Sequence, residues 1–218
     1  MKKTFATAAL LLATTAAQAD TLGLTAEVGH FSPDMSFKGT LDDNYANTNF
    51  DGENDTYFGI AFEHLVPLVP NVRLQSVTFE GRNDDVAAKI DTVDYTLYYE
   101  ILDDLTWLNL DAGLTLRQMD VDARVGNERA SEDGVIPAGY LSAYVSIPTL
   151  PIQVGGEIKA ISAGDSSMKD TTFKIKYQSP FVVGIEGGYR DVSFDIDEGR
   201  IDSDLDFDGF FVGVYADF

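Results

Sequence analysis

The chain has 218 residues, 36 Asp and Glu against 15 Lys and Arg, a formal net charge of −21 at pH 7, and no Cys. That acidity excludes nucleic acid as a partner, and the missing Cys excludes a disulfide framework, a thiol nucleophile and thiolate metal ligands. Stability has to come from the packing of the chain itself.

The amino terminus reads as an export signal. Lys2 and Lys3 precede an apolar or small run from Phe5 to Ala17, and Ala17-Gln18-Ala19 supplies the small-residue cleavage site. Residues 1–19 are therefore expected to be removed and 20–218 to form one domain. The run is too short to span a bilayer. With Lys2 and Lys3 gone, 13 basic residues face 36 acidic ones, a formal charge of −23.

From there on, apolar and polar residues alternate with the period of two that marks strands. Candidate strands run over Leu22–Phe31, Thr56–Val66, Val72–Arg82, Thr92–Ile101, Trp107–Arg117, Tyr140–Ile147, Ile152–Ala160, Thr172–Gln178, Val182–Phe194 and Gly209–Phe218. In the fifth, Leu108, Leu110, Ala112, Leu114 and Leu116 oppose Asn109, Asp111, Gly113, Thr115 and Arg117. The apolar face of the third switches near Val77, where a β-bulge is expected. Gly155-Gly156 and Gly187-Gly188 mark tight curvature or close approach.

The connections alternate in length. Short ones lie at 64–71, 102–105, 148–151 and 179–181, several marked by Pro; long polar ones lie at 32–55, 83–89, 122–135, 163–170 and 195–206. Short turns at one end and long loops at the other describe an all-β, up-and-down antiparallel transmembrane barrel, with ten strands expected and eight the alternative. A soluble barrel of the lipocalin kind has the same alternation turned inside out. Charge placement favours the membrane form: Glu27, Glu63, Asp94, Glu100, Asp111, Arg117, Glu157, Lys159, Lys174, Lys176, Glu186 and Arg190 all fall on polar faces opposite nearly pure apolar ones, which suits charges turned inward and an apolar band against lipid. Tyr57, Trp107, Tyr140, Phe181, Tyr189, Phe207 and Phe218 are the expected interfacial aromatics.

The last strand, GFFVGVYADF, places Phe210, Val212, Val214, Ala216 and Phe218 on one face and ends on an aromatic. Together with the export signal and the rhythm of turns and loops, it resembles the small Gram-negative outer-membrane β-barrel proteins over the whole of residues 20–218. The resemblance implies residence in the cell outer membrane among lipid and lipopolysaccharide, a monomer, and recognition by the barrel assembly machinery through the strand ending at Phe218.

Function is less legible. A ten-stranded lumen is narrow, and inward acids and bases are expected to fill it with ion pairs; the alternative is a thin pore whose acidic excess prefers cations. His30 and Ser32 have the H-x-S spacing used by outer-membrane lipid A deacylases, with Glu27 or Asp34 as the acid, but on a different strand from that family's. The acidic runs at Asp34–Glu53 and Asp195–Asp208 are read as solvated loops, with the binding of Ca²⁺ or Mg²⁺ as the alternative. The sequence thus assigns no catalytic, cofactor-binding or metal-ligand residue. It points to a non-enzymatic structural or surface-interaction barrel, with a narrow porin and a lipid A-modifying enzyme as the alternatives.

Overall fold

Each stretch of alternation becomes strand. The computed structural model describes residues 22–218 other than 42, 43, 67, 85, 106, 127, 164, 165, 199 and 200, so the signal at 1–19 lies outside the described residues. In chain order the strands are β1 (Leu22–Leu41), β2 (Asn44–Asp51), β3 (Asp55–His64), β4 (Asn71–Arg82), β5 (Val86–Leu105), β6 (Leu108–Val125), β7 (Glu128–Ser146), β8 (Ile152–Ala163), β9 (Ser166–Gln178), β10 (Val183–Glu198) and β11 (Ile201–Asp217). All the pairings are antiparallel, and each strand pairs with the next in the chain except that β2 and β3 both pair with β1. β1 pairs β11 from Thr25↔Asp217 to Leu41↔Ile201, which closes the sheet on itself.

β2 and β3 share one stave. β1 pairs β3 over Leu22–Phe31 and β2 over Asp34–Leu41, and the break between them is bridged to β4 at Gly52↔Gly81. The barrel is therefore ten-stranded. Its seam is tied at the last residue, where Phe218 N donates to Leu24 O (3.0 Å) and Leu24 N to Phe218 O (3.1 Å).

The apolar faces point outward. Tyr95, Leu97, Tyr99 and Ile101 on β5, Phe173, Ile175 and Tyr177 on β9, and Phe210, Val212 and Val214 on β11 are all exposed, while Asp94, Arg117, Glu157, Lys159, Lys174 and Glu186 are buried in the lumen. An apolar band of this breadth around a soluble molecule would far exceed the few hundred Å² that monomers tolerate, so its solvent is lipid.

Much of what the sequence presents as loop is strand. β5 has 20 residues, about twice the 9–11 that cross a membrane, and β1 continues through residues 32–41, read above as the start of a loop. Beyond the band the alternation keeps its period but exchanges its faces. On β11, Asp204, Asp206 and Asp208 lie on the outward face that Phe210, Val212 and Val214 continue, while Leu205 and Phe207 are buried inside. Water replaces lipid outside at that level, so polar groups move out and apolar ones move in.

The same exchange accounts for Val77. β4 pairs β5 in unbroken register from Asn71↔Tyr98 to Arg82↔Ala87, so the switch of face there is the crossing from lipid to water and not a bulge. Register shifts occur instead between Glu100 and Leu105 on β5. Three expected interfacial aromatics face inward: Tyr57 and Tyr140 are buried in the lumen, and Phe207 is wholly enclosed. Trp107 and Phe181 are exposed at the short-turn end, and Tyr189 packs edge-on against Phe210. A Cβ on Gly155 would lie 2.1 Å from the Ala143 carbonyl oxygen and one on Gly188 1.9 Å from that of Phe173, so these glycines mark close strand approach.

Candidate functional site

The lumen is built in three layers, each following from which strand positions face inward at that height. At the short-turn end is a vestibule of about 220 Å³, lined among others by Glu63 of β3, Tyr98 of β5, Asp111 of β6, Tyr144 of β7, Gln153 of β8 and Lys176 of β9.

Above it lies a belt of ion pairs in two linked clusters. In the lower one, Glu27 accepts from Arg73 Nη2 (2.9 Å), Gln75 Nε2 (2.9 Å) and Lys174 Nζ (3.1 Å). Glu157 accepts from Arg73 Nη1 and the Tyr144 hydroxyl, both at 2.9 Å. Glu186 takes the Tyr57 hydroxyl at 2.6 Å on one oxygen, and its other oxygen lies 3.2 Å from Lys174 Nζ. Glu27 fits there because its neighbour is Gly59, where a Cβ would lie 2.4 Å from the carboxylate.

In the upper cluster Asp94 receives Arg117 through Nε and Nη2, both at 2.7 Å, and Lys159 Nζ at 2.6 Å. Asp170 is shared by Arg117 and by Arg190, whose Nε and Nη2 lie at 3.0 and 2.6 Å. Lys159 also reaches Gln75 Oε1, which joins the clusters. Five carboxylates (Glu27, Asp94, Glu157, Asp170, Glu186) thus meet five cations (Arg73, Arg117, Lys159, Lys174, Arg190), and the belt is neutral. A void of about 40 Å³ between the clusters has room for only a few waters at about 10–15 Å³ each.

The third layer is an apolar cap inside the part of the barrel that projects beyond the lipid band. Phe31, Met35, Phe79, Ile90, Met168, Val192, Phe194 and Phe207 are at most 2% exposed. Phe79 stacks edge-on with Phe31 (centroids 5.9 Å apart) and lies 5.3 Å from Phe207, and the Arg190 guanidinium sits 5.1 Å over its ring, so belt and cap are in contact.

Sequence reading places the belt carboxylates and most of its cations on the correct face but leaves out Arg73 and Asp170. Arg73 lies on the strand whose face exchange obscured the pattern, and Asp170 in a segment read as a loop; the alternation Met168, Asp170, Thr172, Lys174 is the signal that finds the latter.

The H-x-S residues do not assemble. His30 and Ser32 are exposed on the outer surface, Ser32 donates to Asn54 Oδ1 (2.5 Å) and not to His30, and Glu27 is on the opposite face within the belt. Asp34 pairs across the sheet with Asp51 and Asp208. His64 accepts from the Val66 amide at the short-turn end. Of the acidic runs, Asp204 meets Lys38 at 3.6 Å, Asp206 takes the Ser36 hydroxyl and Asp208 that of Tyr189; Asp42 and Asp43 lie outside the described residues. Among the described residues no group of three or more His, Asp or Glu is placed to hold a metal ion.

Among solved structures, the outer-membrane protease OmpT from Escherichia coli aligns over 92% of this chain and 98% of its own, with a TM-score of 0.54 and 11% identity. The chain has the fold of a bacterial outer-membrane β-barrel. The β domain of the Bordetella autotransporter BrkA (TM-score 0.47, 11% identity, 91% of this chain and 100% of that one) and Ail, the attachment invasion locus protein of Yersinia pestis (TM-score 0.42, 8% identity, 90% and 98%), align less closely. No family model and no curated protein matches the sequence.

Proposed function

We propose that this chain is an integral protein of the Gram-negative outer membrane with a sealed lumen, that it acts in a structural or surface-interaction role, and that it performs no catalysis. The observation that carries the reading is the stacking of a neutral ion-pair belt under an apolar cap. An ion entering the lumen would have to displace bidentate, buried pairs and then cross a layer lined mainly by apolar side chains, both costly in a low-dielectric interior.

In this reading the short turns lie in the periplasm and the strand extensions project outward. They present an acidic surface, with Asp34, Asp191, Asp195 and Asp204 exposed on its outer face. Cell fractionation with a liposome-swelling assay tests the proposal. Recovery in the outer membrane, with no swelling in sugars or amino acids, is the expected result. Recovery in the soluble periplasm, or swelling comparable to that of a porin, overturns it.

A further inference from the structure

Charges in the belt are paired, but three groups of the vestibule below it, Lys176, Glu63 and Asp111, have no ion-pair partner among the described residues. Lys176 Nζ stands 4.4 Å from the centre of the Tyr215 ring, and no carboxylate lies within ion-pair distance of it among the described residues. Glu63 accepts from the Tyr98 hydroxyl (2.7 Å) and Asp111 from the Ser142 hydroxyl (2.6 Å); both partners are neutral, and no described cation lies within ion-pair distance of either carboxylate. Around the ring, β3 with Glu63 stands four places from β9 with Lys176 in one direction and β6 with Asp111 three places in the other. An ammonium and two carboxylates therefore face the same cavity from separate walls and form no ion pair with one another.

We propose that the vestibule binds a small ligand bearing both a carboxylate and an ammonium, its carboxylate on Lys176 and its ammonium on Glu63 or Asp111. Each contact is a charge-assisted hydrogen bond in a partly enclosed site, where such bonds are strongest. The cavity's roughly 220 Å³ is below the roughly 300–1,000 Å³ of pockets for drug-sized ligands, which limits the occupant to a single amino acid or a very short peptide. With Asp217 also on the wall, acids outnumber bases at the mouth, so a ligand with a second positive charge is preferred. Binding here involves no passage through the belt and stands or falls apart from the sealed-lumen proposal.

The test is isothermal titration of the full, refolded protein in detergent micelles with L-lysine and with cadaverine, which keeps both amines and lacks the carboxylate. L-lysine should bind the wild type. Lys176→Met should weaken L-lysine about tenfold or more without weakening cadaverine, which also shows that the variant is folded, and Lys176→Arg should restore L-lysine binding. Asp111→Asn should weaken both ligands, and Asp204→Asn, on the acidic exterior, neither. No binding of L-lysine to the wild type overturns the proposal, as does an unchanged L-lysine affinity in Lys176→Met, or a loss in Asp204→Asn equal to that in Asp111→Asn.

Discussion

Arg117 of β6 grips Asp94 of β5, its direct cross-strand partner, through two parallel hydrogen bonds of 2.7 Å, and the Arg117 side chain is entirely out of solvent. The same guanidinium also reaches Asp170. One side chain therefore holds two buried carboxylates, and the belt depends on it more than on any surface pair.

Arg117→Met should destabilise the barrel by about 3–5 kcal/mol, because it leaves Asp94 and Asp170 with one cation each in a buried setting. Adding Asp94→Leu should recover part of that loss. Urea unfolding of the refolded protein in detergent reads both, and a loss below about 1 kcal/mol for the single variant would mean that water reaches the belt.

Truncation in the cap should be as costly. Phe79 is fully enclosed between Phe31, Phe207 and Arg190, so Phe79→Ala is expected to cost about 3–5 kcal/mol through lost burial and the cavity left behind. Lys38→Ala, which removes only an exposed ion pair with Asp204, should change stability by less than about 0.5 kcal/mol. Similar values for the two would show that the projecting part of the barrel is not packed.

Beyond the lipid band, Asp91 is held by the Lys89 ammonium and by the Thr78 hydroxyl (2.6 Å), which keep its carboxyl below the usual range, while Asp91 holds the Lys89 ammonium above its own. A carboxyl lowered on folding stabilises fully above its unfolded value of about 3.9 and loses that contribution as pH falls through the lower folded value. An ammonium raised on folding contributes below its unfolded value of about 10.4 and loses that as pH rises through the higher folded one. The stability difference between wild type and Asp91→Asn should therefore be largest near neutrality and shrink toward pH 2. A difference that stays constant across that range contradicts the pairing.

Deleting Phe218 removes both hydrogen bonds that tie the end of β11 to Leu24. Outer-membrane levels of the deletion, read by immunoblot of fractionated cells, should fall severalfold, whereas Phe218→Tyr, which keeps the backbone pair and the aromatic ring, should hold them near wild type. Normal levels of the deletion would assign closure to the other pairs of β1 and β11.

The membrane half of the barrel was legible because charge and apolar surface separate cleanly there: Asp94, Arg117, Lys159 and Lys174 each alternate with a residue fit only for lipid. The projecting half was not, because a run of charge there has the same look as a solvated loop. Asp204-Leu205-Asp206-Phe207-Asp208 has the same period of two, but with the charged residues outward. What decides a face is the solvent outside it, and that solvent changes partway along each strand. Phe207 turns inward for the same reason, since an aromatic near a strand end suits an interfacial girdle and a buried cap equally well, whereas Tyr57 turns into the belt, where its hydroxyl meets Glu186. The pairing inside the belt was not legible at all, because it joins residues such as Arg73 and Glu157 that are 84 positions apart and meet only when the barrel closes.

The sealed lumen is tested most directly by planar-bilayer recording of the purified, refolded protein in symmetric KCl. No discrete conductance steps are expected from the wild type, and none from Lys38→Ala. Stable, cation-selective steps from the wild type would contradict a closed belt and cap and would assign the chain to the narrow porins.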